Sequence, residues 1–461
     1  MLVYSMVFSL IIHSYSVRSV DVCASVNFCA CRDNIDDNQD YLGDSVDCSY
    51  HFEGQNVLAT NFSLPDVTFS LDLSSSNITH LHTSRLLQST TLLELTLKNN
   101  ILKEIPAKVL LLPALKWLDL SYNQLEYIDK EAFSDLRNVE HLNLANNRLV
   151  TFERLGFHHL RNLNELVLDN NNLGKGLLEA NLFDRSGFGL THKIKRLSIR
   201  GVNLNEVPDN FFSDAYDIRK LVISNNNLKE IFELPFTLEY LDLSDNPISD
   251  ISNEDFIDLP GLKVLKLNNL LIREVPEYVF SALHGLVELE LERNKNLTIF
   301  SPLAFGQDIL DDADYFVLEK LSLRGSRLTA LDQELAEPIG QLSILDLQGN
   351  PWTCDCNLLW LKSLQIPPEY YEHIRCGSPK PFYNCKVFEL DAKYFSCSQI
   401  SDHHVGLALA IVAFCIILAG IALWFFVFIP RYQSRGNCIA NLHTPTATYT
   451  VLPVHSHRTE F

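Results

Sequence analysis

The sequence predicts an α/β solenoid: a stack of about 12 short parallel strands, closed at both ends by cysteine clusters and followed by one transmembrane helix. Three observations carry this. A frame of L-x-x-L-x-L-x-x-N-x-L recurs between residues 66 and 350. Cysteines gather immediately before and after it, from Cys23 to Cys48 and from Cys354 to Cys397. Downstream, residues 405–429 run without a single charge.

The array comes first, because a fixed period identifies stacked units before any element is assigned. Taking the first leucine of each L-x-L pair, the frame recurs at residues 71, 95, 118, 142, 166, 197, 221, 241, 265, 289, 321 and 345, mostly 24 apart. L-x-L alternates with period two, so each pair is a short strand with both leucines pointing into the coil. Stacking the coils sets the strands parallel. The steps of 31 and 32 mark insertions around 174–193 and 298–317. Both leave after the strand, either as binding loops or as tolerated insertions.

The Asn of the frame is Asn100, Asn123, Asn147, Asn171, Asn226, Asn246, Asn294 and Asn350. A side-chain amide there can satisfy backbone groups of neighbouring coils. Ser76, Val202, Leu270 and Ser326 take the position elsewhere. Val202 and Leu270 lack the amide, so their coils need another partner or water. Phe133, Phe157, Phe212, Phe256, Phe280 and Phe305 recur further along each unit and are expected to stack as a core spine away from the strands.

This frame resembles the leucine-rich repeat family in its roughly 24-residue extracellular form, over about residues 50–397. The resemblance implies a leucine-rich repeat solenoid whose parallel strands line the concave face. A single repeat cannot bury its apolar face, so the ends need caps. Cys23, Cys29, Cys31 and Cys48 precede the first repeat; the string Asn350-Pro351-Trp352-Thr353-Cys354-Asp355-Cys356, then Cys376 and Cys397, follow the last. Both clusters resemble the cysteine caps of secreted and cell-surface members. The resemblance implies the pairs Cys23–Cys31, Cys29–Cys48, Cys354–Cys376 and Cys356–Cys397. In a secreted context such clusters mean disulfides rather than zinc. Each bridge contributes about 2–4 kcal/mol, mainly through the unfolded chain. Cys385 is left unpaired, as an intermolecular disulfide or as a buried or capped free thiol. Cys415 falls inside the uncharged run as a packing residue. Cys438 is a candidate for palmitoylation near the inner leaflet.

The ends set the topology. Residues 2–12 are apolar but too short to span a bilayer, and small residues follow, so 1–19 reads as a signal peptide, although no Lys or Arg precedes the run. Residues 405–429 reach about 37 Å as a helix, enough to cross a hydrocarbon core of roughly 30 Å. Arg431 and Arg435 follow, which places the tail in the cytoplasm of a single-pass type I protein at the plasma membrane. The expected division is 1–19 signal peptide, 20–65 N-terminal cysteine cap, 66–350 repeats and 351–398 C-terminal cysteine cap. A juxtamembrane linker at 399–404, a transmembrane helix at 405–429 and a cytoplasmic tail at 430–461 complete it.

Composition excludes other classes. The chain has 461 residues, a formal charge of −20 and 47% hydrophobic residues, which rules out wholesale disorder. Of 57 acids and 37 bases, only Glu460, Arg18, Arg431, Arg435 and Arg458 lie outside residues 21–404, so the extracellular part carries about −23. Nucleic acid is a poor partner for it, because phosphate contacts need clustered Lys and Arg. No G-x-S-x-G, H-E-x-x-H, P-loop or kinase signature occurs, so no catalytic residue and no cofactor is expected. His80 and His82 lie in a turn, as solvated histidines. Asp308, Asp311, Asp312 and Asp314 lack the Gly and terminal Glu of a calcium loop and read as a solvated acidic loop. No metal site is expected.

The positions flanking L-x-L face outward, and their charge is banded. Arg196, Arg200 and Lys220 form a basic band, Glu288, Glu290 and Glu292 an acidic one, and Lys320 and Arg324 a second basic one. Asp72, Glu94, Asp119, Glu165 and Asp169, with Lys98, make the first five repeats mostly acidic. Neighbouring strands lie about 4.8 Å apart, so such bands suit a charged protein partner, while any solvated face also carries charge. Trp117 and Tyr240 are candidate anchors on the same face. Sequons at Asn61, Asn77 and Asn296 are expected to carry glycans, which bar those spots from an interface.

The 32-residue tail has no room for a kinase or Toll-type signalling domain. Tyr449-Thr450-Val451-Leu452 resembles an internalisation signal, and Thr459-Glu460-Phe461 a PDZ-domain ligand. Together these features predict a cell-surface leucine-rich repeat receptor or adhesion glycoprotein that binds an extracellular protein ligand or co-receptor. A homodimer is a further expectation, with weak lateral contact through Gly406 and Ala410. The alternative is a Toll-like innate co-receptor that captures microbial ligands without signalling alone.

Overall fold

The computed structural model describes residues 20–21, 23, 29–35, 41–50, 62–81, 87–151, 155, 157–179, 182–183, 190, 193–397 and 410–424. The signal peptide, Asn61, His82, the juxtamembrane linker, Gly406, Cys438 and the tail motifs at Tyr449, Leu452, Thr459 and Phe461 lie outside them. The chain divides into two units, residues 1–395 and residues 396–461.

The first unit is built on one 14-stranded sheet. Strands β1 (Ala30–Ile35) and β2 (Tyr41–Asp47) form an antiparallel hairpin, and β2 then pairs in parallel with β3 (Thr68–Asp72). From β3 on, each expected L-x-L pair supplies one parallel strand, in chain order. These are β4 (Glu94–Thr96), β5 (Trp117–Asp119), β6 (His141–Asn143), β7 (Glu165–Val167), β8 (Arg196–Ser198) and β9 (Lys220–Val222). They continue as β10 (Tyr240–Asp242), β11 (Val264–Lys266), β12 (Glu288–Glu290), β13 (Lys320–Ser322) and β14 (Ile344–Asp346). Register is strict: Leu71 faces Leu95, Leu118 faces Leu142, and Leu289 faces Leu321. Insertions of seven or eight residues between strands leave this pairing intact, because they sit in the return segments.

Both leucine columns are core. Leu71, Leu118 and Leu241, like Leu73, Leu120 and Leu243, are 1% exposed or less. The phenylalanines Phe133, Phe157, Phe212, Phe256, Phe280 and Phe305 are all buried. Phe256, Phe280 and Phe305 stack with ring centroids 6.0 and 5.7 Å apart.

The Asn ladder explains how coils with so little regular structure leave few polar groups unpaired. Asn123 Nδ2 donates to Leu97 O of the coil before (2.9 Å) and Leu120 O of its own (3.1 Å). Its Oδ1 accepts from Leu102 N at 3.1 Å. Asn147 repeats this one coil on, to Leu120 O and Leu144 O, both 3.0 Å. Leu120 O is therefore reached by two amides. That redundancy answers the gap at Val202. Asn171 still donates to Leu168 O, Asn226 still donates to Ile199 O, and Val202 N donates to Asn226 Oδ1 at 3.0 Å. Leu270 N is held in the same way by Asn294 Oδ1 at 2.7 Å.

The residue preceding each ladder position adopts a positive φ in all twelve coils, from 52 to 72° at Ser75, Asn99, Tyr122, Asn146, Asn170, Gly201, Asn225, Asp245, Asn269, Arg293, Gly325 and Gly349. This left-handed step turns the chain inward, and it is why Asn doublets recur. At Gly201 a Cβ would stand 2.5 Å from Asn170 Oδ1, so any other residue would displace the Asn170 side chain.

Both ends are closed. Cys23–Cys31 and Cys29–Cys48 tie the segment before β1 to the β1–β2 hairpin, and Cys48 N donates to Asp72 O of the first coil at 2.8 Å. Beyond β14, strand Pro351–Thr353 pairs with Arg375–Ser378, and Cys354 is bonded to Cys376. Cys356 and Cys397 are each disulfide-bonded. Trp352 is fully buried, and its Nε1 donates to Leu347 O at 3.1 Å. Lys362 Nζ donates to the carbonyls of Val387, Phe388 and Leu390 and lies 5.4 Å from the Phe395 ring centroid. Cys385 carries a free, half-buried thiol.

In the second unit, residues 410–424 are helical and exposed. This segment covers 15 of the 25 uncharged residues, about 22 Å at 1.5 Å each, and the flanks lie outside the described residues. Among the described residues no helix is long and apolar enough to cross a membrane.

Candidate protein-interaction face

The strand geometry presents two outward side chains per coil, in register with those of the next. The loop residue after each strand adds a third. Sequence neighbours about 24 residues apart thus become spatial neighbours.

In β5 to β8 the first column is a connected chain. The Trp117 ring, 42% exposed, lies 4.6 Å from the His141 ring at an interplanar angle of 30°. His141 Nδ1 is 2.6 Å from Glu165 Oε2. The same oxygen accepts from Arg196 Nε at 3.0 Å and lies 2.9 Å from Nη2. Burial pushes the Glu165 carboxyl up, but hydrogen bonds from Arg196 and then His141 outweigh it and hold it below its usual value. In the third column, Asp169 accepts from Ser198 Oγ at 2.6 Å and from Arg200 N at 2.9 Å, yet burial keeps its pKa raised. Arg200 and Lys220 are exposed. Lys220 Nζ sits 4.6 Å from the ring centroid of half-buried Tyr240. Lys98, likewise exposed, lies 5.4 Å from the Tyr122 ring.

The acidic band is arranged differently. Glu290 is only 8% exposed. Lys320 Nζ lies 2.6 Å from Glu288 Oε1 and 2.5 Å from Glu290 Oε1. Lys266 Nζ is 3.1 Å from Glu290 Oε2, which also accepts from Asn268 Nδ2 at 3.0 Å. Burial opposes the charge on Glu290, but these bonds, led by Lys320 and Asn268, bring its pKa to about 2. Lys320 is raised despite burial by the two carboxylates. Glu292 accepts from Ser322 Oγ at 2.9 Å. Arg324 Nη1 stands 3.6 Å from buried Asp346, whose carboxyl is raised by burial. The expected ligand residues Glu288, Glu290 and Lys320 thus face one another, while Arg324 faces Asp346. Lys266 and Asn268, which complete the cluster, become visible in the sequence only when adjacent repeats are aligned column by column.

Asn77 and Asn296 are exposed sequon positions. Among the described residues no group of three or more His, Cys, Asp or Glu side chains is placed to hold a metal ion. In the acidic loop, Asp311 accepts from Gln307 and Asp312 caps the N–H of Asp314.

Models described as "Leucine rich repeat" match residues 113–173 and 237–259. Tsukushi of Gallus gallus is 30% identical over 318 residues, 66% of this chain and 73% of Tsukushi. Nephrocan of Mus musculus is 34% identical over 159 residues, 31% of each chain, so the match spans about a third of that protein's length. Toll-like receptor 9 of Mus musculus is 26% identical over 213 residues, 44% of this chain and 20% of the receptor.

Proposed function

This chain belongs to the extracellular leucine-rich repeat family with cysteine caps, and from that premise we propose that it is a cell-surface receptor or adhesion protein that binds a protein ligand on the outward face of β5 to β10. Its role is recognition rather than catalysis. The observation that carries this reading is the exposed half of the column. Trp117, Lys220 and Arg200 stand open to solvent, while the residues beside them are fixed by mutual contacts. Rigid aromatics with oriented charges bind at low entropic cost, and aromatic and Arg side chains dominate interface hot spots. Membrane anchoring through 405–429 is supported by the uncharged run and by the large apolar side chains, Phe414 and Leu423 among them, exposed along its helical part.

The test is a screen of the full chain against extracellular proteins, followed by Trp117→Ala and Lys220→Glu in any pair found. Loss of binding by both variants supports the face. Unchanged binding by both moves the interface elsewhere. The partial match to Toll-like receptor 9 favours a second reading, capture of a microbial ligand. Binding to microbial products with no protein partner in the same screen would select it.

A further inference from the structure

We propose that the cavity beneath the second insertion takes an apolar side chain carried on a basic segment of a protein partner. This is a second site, independent of the strand face, because none of its lining residues belongs to the 14-stranded sheet.

The insertion at 298–317 folds rather than looping out. A 3-10 turn at Pro302–Phe305, a helical turn at Gln307–Asp311 and a second 3-10 turn at Ala313–Tyr315 lay it over the preceding coil. Between them is a cavity of about 460 Å³. Its floor is apolar, built from Phe280, Leu283, Leu286, Phe305 and Leu318. Ligand pockets fall in the range of roughly 300–1,000 Å³ and are mostly apolar with a few placed polar groups.

Here the edge is mainly acidic. Asp308, Asp311 and Asp312 line it, with His284 as the one basic side chain and no Lys or Arg. No described Lys or Arg forms an ion pair with any of the three. An apolar floor with a lip of three carboxylates selects an occupant that is apolar at its tip and cationic beside it. Two of the lining residues, Tyr315 at 72% and Val317 at 49% exposed, carry the apolar lining out to the surface. An occupant extended along that opening gains these contacts as well as those of the floor, as a side chain on a peptide does and an isolated small amine does not.

The experiment uses the purified full chain in nanodiscs of zwitterionic lipid and two fluorescein-labelled peptide amides, Arg-Phe-Leu-Arg and Glu-Phe-Leu-Glu, read by anisotropy. The basic peptide is expected to bind at least tenfold more tightly. Asp308→Asn with Asp312→Asn is expected to weaken it about tenfold at an unchanged melting temperature, since an amide in place of the Asp312 carboxylate keeps the oxygen that caps the next turn. Asp209→Asn with Asp217→Asn, which removes two exposed carboxylates outside the lining, should change nothing. The proposal is overturned if both peptides bind equally, if neither binds at millimolar concentration, or if the double variant binds as the wild type does. Displacement of the basic peptide by phenethylamine at equal concentration also overturns it, since a free amine would then suffice.

Discussion

The two halves of the array share one backbone register and spend their polar residues differently. From Asn100 to Asn171 the interior ladder is unbroken, and the face above it ends in open aromatics and cations. From Val202 onward the ladder has gaps, and the face from Lys266 to Arg324 neutralises itself. A run of charge along the sequence therefore does not say whether it serves a partner or the fold. The side chain 24 residues away decides that.

The largest effect tests the ladder. Asn123→Ala leaves Leu97 O with Asn100 and Leu120 O with Asn147. Asn171→Ala leaves Leu168 O with no amide, because the next ladder position is Val202. An unsatisfied buried group costs about 1–3 kcal/mol. Asn171→Ala should thus be the more destabilising of the two by about 1–2 kcal/mol in urea denaturation. Equal losses would mean that the doubled bonds are not redundant.

The repeat period, the strands, the insertions and the ladder positions were all legible in the sequence, because a solenoid converts sequence period directly into spatial contact. The left-handed residue before each ladder position was not read, although doublets such as Asn99-Asn100 and Asn170-Asn171 carry it. The face was half legible. Trp117, Arg196 and Glu290 were visible as outward residues, but the burial of Glu290 depends on Lys266, Asn268 and Lys320, which come from neighbouring coils. The cavity was illegible, because the sequence shows only that the insertion exists and not that it folds back.

A second test uses acid. The pKa of Glu290 is about 2 in the folded chain against 4.5 as its ordinary value. A carboxylate lowered by folding stabilises above its unfolded pKa and loses that contribution as pH falls through the folded one. The window is therefore about pH 4.5 down to about 2. Asp169 and Asp346, both raised by burial, contribute with the opposite sign, so the whole-protein curve mixes the two. The difference between wild type and Glu290→Gln isolates the first. It should be about 2 kcal/mol at pH 7 and shrink steadily below about pH 4.5. A difference independent of pH would remove the ion pairs from the account of that half.

The third test asks whether the halves differ in function as well as in stability. With a ligand in hand, Trp117→Ala should weaken binding about tenfold, roughly 1.4 kcal/mol, at an unchanged melting temperature. Glu290→Gln should do the reverse. If both variants lost affinity alike, the contrast between an open and a self-satisfied face would fail.

The smallest effect sharpens the reason for the contrast. Glu239 has two cationic partners, as Glu290 has: it accepts from Arg219 and from Lys263, the latter at 2.9 Å. Those two hydrogen bonds, Lys263 first, lower its pKa. Yet the Arg219 and Lys263 side chains are 62% and 60% exposed, against 30% for Lys320 and 24% for Lys266. Water replaces a lost partner there, and salt screens what remains. Glu239→Gln should leave the melting temperature within measurement error at physiological salt, whereas Glu290→Gln lowers it. If the two substitutions cost the same, the number of partners rather than burial would set the worth of a charge on this face, and the acidic band could not be told from an ordinary solvated surface.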